Sequence, residues 1–297
     1  MYQVDLLAQL APPQLANVRI VTDSLADIPP AIIRELDITV VPAIVRFGAA
    51  EYRDRVDLPS WEFYQKLSNS PVLPTTSVPS IGDFEQTFRE LGQATNQILA
   101  IHTIGTLSGI YNASRLAAQD IPNTQIEVLD SQQVSMSLGW LVIQAARAAK
   151  VGKTLGEIKA LVESLMRHVH IVAMLGTLEY AQRGGRLGKG AALVGTLLNV
   201  KPLLSTAHGE IIPLENVRSQ KRALSRLVEL VVNSGPVEEL AVVHAHAPEL
   251  AIEVEEALSN VFPDKQIVLS ETGPVLGAHA GPGAVGIAWL SKRNGKV

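Results

Sequence analysis

VRIVTDSLADIPPAIIRELDITV, residues 18–40, reads as a strand, a polar turn, a helix and a second strand in quick succession. Val18–Asp23 is a short apolar run closing on polar residues, the pattern of a buried strand that feeds a loop. Pro29 and Pro30 open a helix through Leu36, since proline's fixed φ suits a first helical turn. Ile38–Val45 is β-branched and holds Pro42, which predicts a bent or edge strand because proline has no N–H for the ladder.

Working outward, the order recurs. Gly48–Tyr52 reads as a turn, and Pro59 begins a helix through Leu67. Ser70–Pro79 is a loop, Ser80–Leu91 a helix, and Gln97–His102 a strand followed by a helix over Gly109–Ala118. A strand at Ile126–Asp130 leads to helices over Ser135–Lys150 and Thr154–Val169. Strand, loop and helix in this rotation predict an α/β fold, a parallel sheet with helices on both faces. Ligand loops then belong at the carboxyl ends of the strands, where Thr22-Asp23-Ser24, Thr103–Ser108 and Asp130-Ser131 fall. Beyond about residue 168 the alternation is less regular. Strands at Ile171–Leu175, Val200–Leu204, Gly209–Pro213, Leu240–His244 and Gln266–Leu269 mix with helices at Ser219–Asn233 and Pro248–Ser259, and His208-Gly209 marks a hairpin. The chain therefore divides into an N-terminal α/β domain, 18–168, and a C-terminal α/β domain with a mixed sheet, 169–297.

Composition narrows the function. The 297 residues carry 25 Lys and Arg against 29 Asp and Glu, a net charge of −4, and only 4% are aromatic. A nucleic-acid binder needs a basic stripe interleaved with aromatics, so that class is set aside. Cysteine is absent, which removes thiol chemistry and fits a reducing cytoplasm. The mean hydropathy of +0.20 suits buried parallel strands or an internal apolar cavity. Met1–Asn17, with Asp5 and two prolines, lacks the basic start and long apolar core of a secretory leader. Thr272–Ser291 is the longest charge-free segment, yet its five glycines, two prolines and His279 predict a tight loop leading into a buried element. No stable membrane insertion is expected.

Four turns carry the candidate chemistry: Thr75-Thr76-Ser77, Thr106-Leu107-Ser108-Gly109, Arg183-Gly184-Gly185-Arg186 and His279-Ala280-Gly281-Pro282-Gly283. They offer hydroxyls, backbone N–H groups, a guanidinium and an imidazole, the equipment for holding an anion. Thr76 and Ser77 also fit a plain turn before a helix capped by Ser80, and Ser108-Gly109 fits an anion cradle or an ordinary helix start. GTLSGIY departs from the G-x-S-x-G elbow of a catalytic serine. RGGRLGKG departs from both the P-loop and the dinucleotide fingerprint. An arginine in a glycine turn can lie over an anion and keep its charge when desolvated. The pairs His168/His170 and His244/His246 would share strand faces, but no third metal ligand stands at suitable spacing.

Taken together the turns resemble the DegV family of fatty-acid-binding proteins, the lipid-carrying subunits of bacterial fatty acid kinase. The likeness runs from Val18 through TDSLADIP (22–29), TTSVPS (75–80), LSGIYNAS (107–114), LDS (129–131), TLEYAQRGGR (177–186), KPLL (201–204), VRSQKRAL (217–224) and HAGPGAVGI (279–287). It implies a two-domain α/β fold with a lipid tunnel between the domains. Thr76 and Ser108 would hold the ligand carboxylate with Ser77 and Gly109 beside them, Arg186 and His279 would support it, and Arg218 would dock the kinase. Val78 stands where the family usually has Gln, and Ile110 where it usually has Thr. An acyl chain of about sixteen carbons would gain roughly 11 kcal/mol on burial, before association costs. Its carboxylate needs partners, which the four turns supply. The expected function is therefore a non-catalytic, cytoplasmic carrier without cofactor or metal that presents a fatty acid to a separate kinase. Two other classes stand beside it: a serine hydrolase using Ser108, His279 and Asp23, and a small phosphate or nucleotide binder.

Overall fold

The computed structural model describes residues 18–187 and 200–293. β1 (Arg19–Asp23) enters a short 3-10 turn and α1 (Pro30–Leu36). The apolar stretch around Pro42 is two strands: β2 (Thr39–Val41) and β3 (Ile44–Phe47). The proline falls between them, where no ladder N–H is required. β4 (Ala50–Arg53) returns against β3, so of the expected turn at Gly48–Tyr52 only Gly48 and Ala49 form the bend, while Ala50–Tyr52 pair as strand. α2 (Ser60–Asn69) follows, and the expected loop at Ser70–Pro79 contains β5 (Thr75–Ser77), antiparallel to β3. α3 (Ile81–Gly92) starts from a capping box in which Ser80 and Asp83 satisfy each other's backbone N–H. β6 (Gln97–His102), α4 (Ile110–Ala117), β7 (Gln125–Asp130), α5 (Met136–Lys150) and α6 (Leu155–Leu165) complete the first half.

The second half runs β8 (Val169–Met174), α7 (Glu179–Arg183), β9 (Lys201–Ala207), β10 (Glu210–Val217), α8 (Gln220–Val232), β11 (Val237–His244), α9 (Pro248–Val261), β12 (Ile267–Glu271), α10 (Pro274–Ala280) and β13 (Val285–Ser291). The first sheet is parallel throughout, in the order β2-β1-β6-β7. A six-stranded sheet, β10-β9-β8-β13-β11-β12, is mixed: only β11 and β12 run parallel. β3, β4 and β5 form a small third sheet. The charge-free segment Thr272–Ser291 resolves into α10 and the buried strand β13. No described helix is long and apolar enough to cross a membrane.

α5 is packed between the two larger sheets. Twelve of its 15 residues are buried, because it touches β1 and β6 of the parallel sheet as well as β8, β11 and β13 of the mixed one. Trp140 donates its indole N–H to the Ala288 carbonyl at 3.2 Å, satisfying the one polar atom of the largest buried side chain. A helix covered over most of its surface is largely apolar, its alanines and Gly139 let the backbones approach, and Arg147 and Lys150 mark where it meets solvent.

Candidate functional site

Thr76 lies opposite Val45 in the β3–β5 pairing, which fixes its side chain on the inner face of the small sheet. Ser108 and Gly109 occupy the loop between β6 and α4. There the Ser108 N–H donates to the Ile104 carbonyl at 3.0 Å, and its Oγ accepts from the Ile110 N–H at 3.3 Å. A Cβ on Gly109 would lie 3.6 Å from Val78, so these two turns abut. α10 brings the third turn. His279 Nε2 is 2.9 Å from Thr76 Oγ1, a hydrogen bond between residues 203 positions apart.

Burial pushes the His279 imidazole down to about 4, and the nearby Arg186 charge adds to the shift. The ring is therefore neutral near pH 7. Its Nδ1 is buried without a partner, and a Cβ on Gly184 would lie only 2.2 Å from it. A buried donor left unpaired costs more than a bare lone pair facing a Cα, so the proton belongs on Nε2. Nε2–H then donates to Thr76 Oγ1, which leaves the threonine's own O–H directed at an acceptor.

Thr76, Ser77, Ser108, Gly109, Arg186 and His279 all line one cavity, about 1350 Å³ with its open mouth included. Its walls are apolar, with Leu25, Ile104, Ile171, Leu204, Ile211 and Val275 among them. Five further hydroxyls, of Thr103, Ser135, Ser205, Thr206 and Thr272, also reach it, but each is engaged inside the protein, Ser205 with the Ile171 carbonyl and Thr272 with Asp27. Thr103 bonds the Gln133 carbonyl, Thr206 the Gln133 side chain and Ser135 the Asp27 carboxylate. The Thr76–His279 pair and the Ser108 hydroxyl therefore form the polar part of the lining that is open to a ligand. Arg186 differs from expectation. It is exposed, not desolvated, with Nη1 donating to the Gly184 carbonyl at 2.7 Å, so it acts as a rim charge. Within the expected turn Arg183-Gly184-Gly185-Arg186, what the sequence did not show is that Gly184 lies against the His279 ring.

Several other expectations go elsewhere. Asp23 does not join Ser108 and His279; it is fully buried and bonded to His102. His246 stacks on Tyr64 at 5.2 Å, His170 lies against Trp289 at 5.0 Å, and His244 Nδ1 accepts from the Ala247 N–H. No group of three or more metal-ligand side chains is present among the described residues. Arg218 is exposed between β10 and α8 and does not line the cavity. On α8, Arg226 is paired with Glu215 and Glu229. Gly188, Lys189 and Gly190, the end of the RGGRLGKG run, lie outside the described residues, as do Met1–Asn17.

Residues 17–292 match the DegV family. Protein DegV of Bacillus subtilis is 34% identical over 281 residues, 93% of this chain and 100% of that protein. The crystal structure of DegV from Bacillus subtilis, described as a fatty acid binding protein, superposes with a TM-score of 0.87 at 33% identity, covering 93% of this chain and 100% of that one. A DegV family protein from Thermus thermophilus, described for its fatty acid binding, gives 0.86 at 30% identity over 93% of this chain and 99% of its own. A stearic acid-binding protein from Eubacterium ventriosum gives 0.85 at 27% identity over 93% and 98%.

Proposed function

The chain belongs to the DegV family, and we propose that it binds a long-chain fatty acid in the cavity between its two α/β units, 18–168 and 169–297. The observation that carries this reading is the pairing of long apolar walls with one polar corner. Apolar walls favour a chain of methylenes by about 0.8 kcal/mol each. Thr76 and Ser108 hydroxyls meet the carboxylate, Ser77 and Gly109 shape the turns around it, and neutral His279 sets the direction of the Thr76 proton. Arg186 supplies positive potential at the rim. The fatty acids bound by the solved relatives support the same assignment.

The protein is read as a non-catalytic carrier in the cytoplasm, handing its carboxylate to a fatty acid kinase. Nucleotide and Mg²⁺ would belong to that partner. Titration of delipidated protein with a fatty acid and with the alcohol of equal length tests the binding step: the acid should bind tighter, and equal affinity would remove the carboxylate assignment. Arg218 is the proposed docking residue. Arg218→Ala should leave fatty-acid affinity intact while slowing acyl-phosphate formation with a fatty acid kinase, most at low salt and less as salt screens the charge. Lost lipid binding, or full turnover at every salt concentration, would overturn that role.

A further inference from the structure

We propose that Asp23, His102 and Ser114 are positioning residues for the carboxylate corner, a buried relay that fixes the loop bearing Ser108 and Gly109; this rests on the fatty-acid reading above. His102 is the last residue of β6 and Ser114 lies in the second turn of α4, so the two flank that loop. His102 Nδ1–H donates to Asp23 Oδ2 at 3.0 Å, and the Ser114 hydroxyl donates to His102 Nε2 at 2.8 Å. Asp23 Oδ2 also accepts the Thr103 N–H at 3.0 Å, and Oδ1 accepts the Leu25 N–H at 3.1 Å. One carboxylate thus ties the end of β1 to the point where the loop leaves β6.

The order Asp, His, Ser is that of a hydrolase triad, but all three residues are 0% exposed. The Phe84 ring sits edge-on to the imidazole at 5.3 Å. A nucleophile must meet its substrate, and Ser114 is buried, bonded to His102 and not part of the cavity lining. What the relay does is local. A serine inside a helix ordinarily returns its proton to the carbonyl four residues back. Ser114 instead spans 12 residues to His102 and closes the loop at its base. Side contacts complete the brace: the Gly105 N–H donates to Asp130 at 3.1 Å, and the Thr106 hydroxyl donates to the Gly209 carbonyl in the β9–β10 turn. A hydroxyl serves a carboxylate only within hydrogen-bond reach, so a small loosening of this loop weakens the grip without touching the ligand.

Ser114→Ala removes the staple while keeping a good helix former. The test is binding of palmitate and of hexadecanol to wild type, S114A, S108A and the double variant, with amide exchange over residues 103–109 of the ligand-free proteins. S114A should weaken palmitate by about 5- to 50-fold, the range of a lost buried hydrogen bond, and hexadecanol far less. It should add little in the S108A background and should speed exchange in the loop. Ser114→Thr, which keeps the hydroxyl, should restore most of the loss. Unchanged palmitate affinity, equal losses for acid and alcohol, or full additivity with S108A would each overturn the proposal. If S114A does not fold, Asp23→Asn is judged by the same criteria. Wild type that binds neither lipid would overturn the fatty-acid reading itself, and this proposal with it.

Discussion

Ser108 offers one proton, and its oxygen is already engaged by the Ile110 N–H. Ser108→Ala should therefore cost about 1–3 kcal/mol of carboxylate binding, measurable by calorimetry with a fatty acid. Arg186→Ala should cost less, because an exposed charge is screened, and its loss should grow as salt is lowered. A salt-independent loss for Arg186→Ala would contradict its rim position. Gly184→Ala is expected to be the more damaging change, since its Cβ would run into the His279 ring and break the bond to Thr76. Fatty-acid affinity unchanged in G184A would show that the Thr76–His279 pair is dispensable. At this scale Thr76, Ser108 and His279 were legible because each belongs to a stretch dense in hydroxyl, glycine or proline residues. Their pairing was not. The Thr76–His279 bond joins distant segments, and Gly184 matters only because an imidazole from α10 lies against it.

Between elements, the loop before α10 is held by a buried polar hub. Asp27 accepts from Arg55 at 2.6 Å, from the Ser135 hydroxyl at 2.7 Å and from the Gly273 N–H at 3.1 Å. Asp54 lies buried beside it, and a Cβ on Gly273 would approach both Asp54 and Arg55. One guanidinium serves two buried carboxyls, so burial pushes Asp54 up to about 7 and raises Asp27 in the same direction. A carboxyl raised from 3.8 to about 7 holds its proton in the folded state longer than in the unfolded one. Its contribution to stability is full below about pH 4 and is lost as pH rises toward 7. His279 has the opposite sign: its imidazole is lowered from 6.5 to about 4, so stability falls as pH drops through that window. Asp54→Asn should therefore flatten the decline on the alkaline side in urea melts from pH 4 to 8. An unchanged pH profile in D54N would remove Asp54 from the hub. The order of strands and helices was largely legible, since β1, β6 and β7 are apolar runs ending in polar turns. β5 was not: a three-residue strand forms only because β3 offers an edge. α10 was hidden by Gly277 within it and Gly281 just after it, which tight packing against Tyr64 and Tyr180 requires.

On the scale of the molecule, the high mean hydropathy has two destinations. One is α5, buried between a parallel and a mixed sheet; the other is the cavity whose walls come from both halves. Their juxtaposition could not be read from composition, because an apolar strand lining a cavity and one packed in a core have the same sequence pattern. If the cavity is a lipid site, protein made in a bacterial host should retain its ligand through purification, since long apolar walls slow release. The decisive measurement is mass spectrometry of the organic extract from washed, denatured protein, quantified against the chain. A stoichiometric long-chain fatty acid is the predicted result. An extract without stoichiometric acyl species, from protein that also fails to take up added fatty acid, would contradict the account.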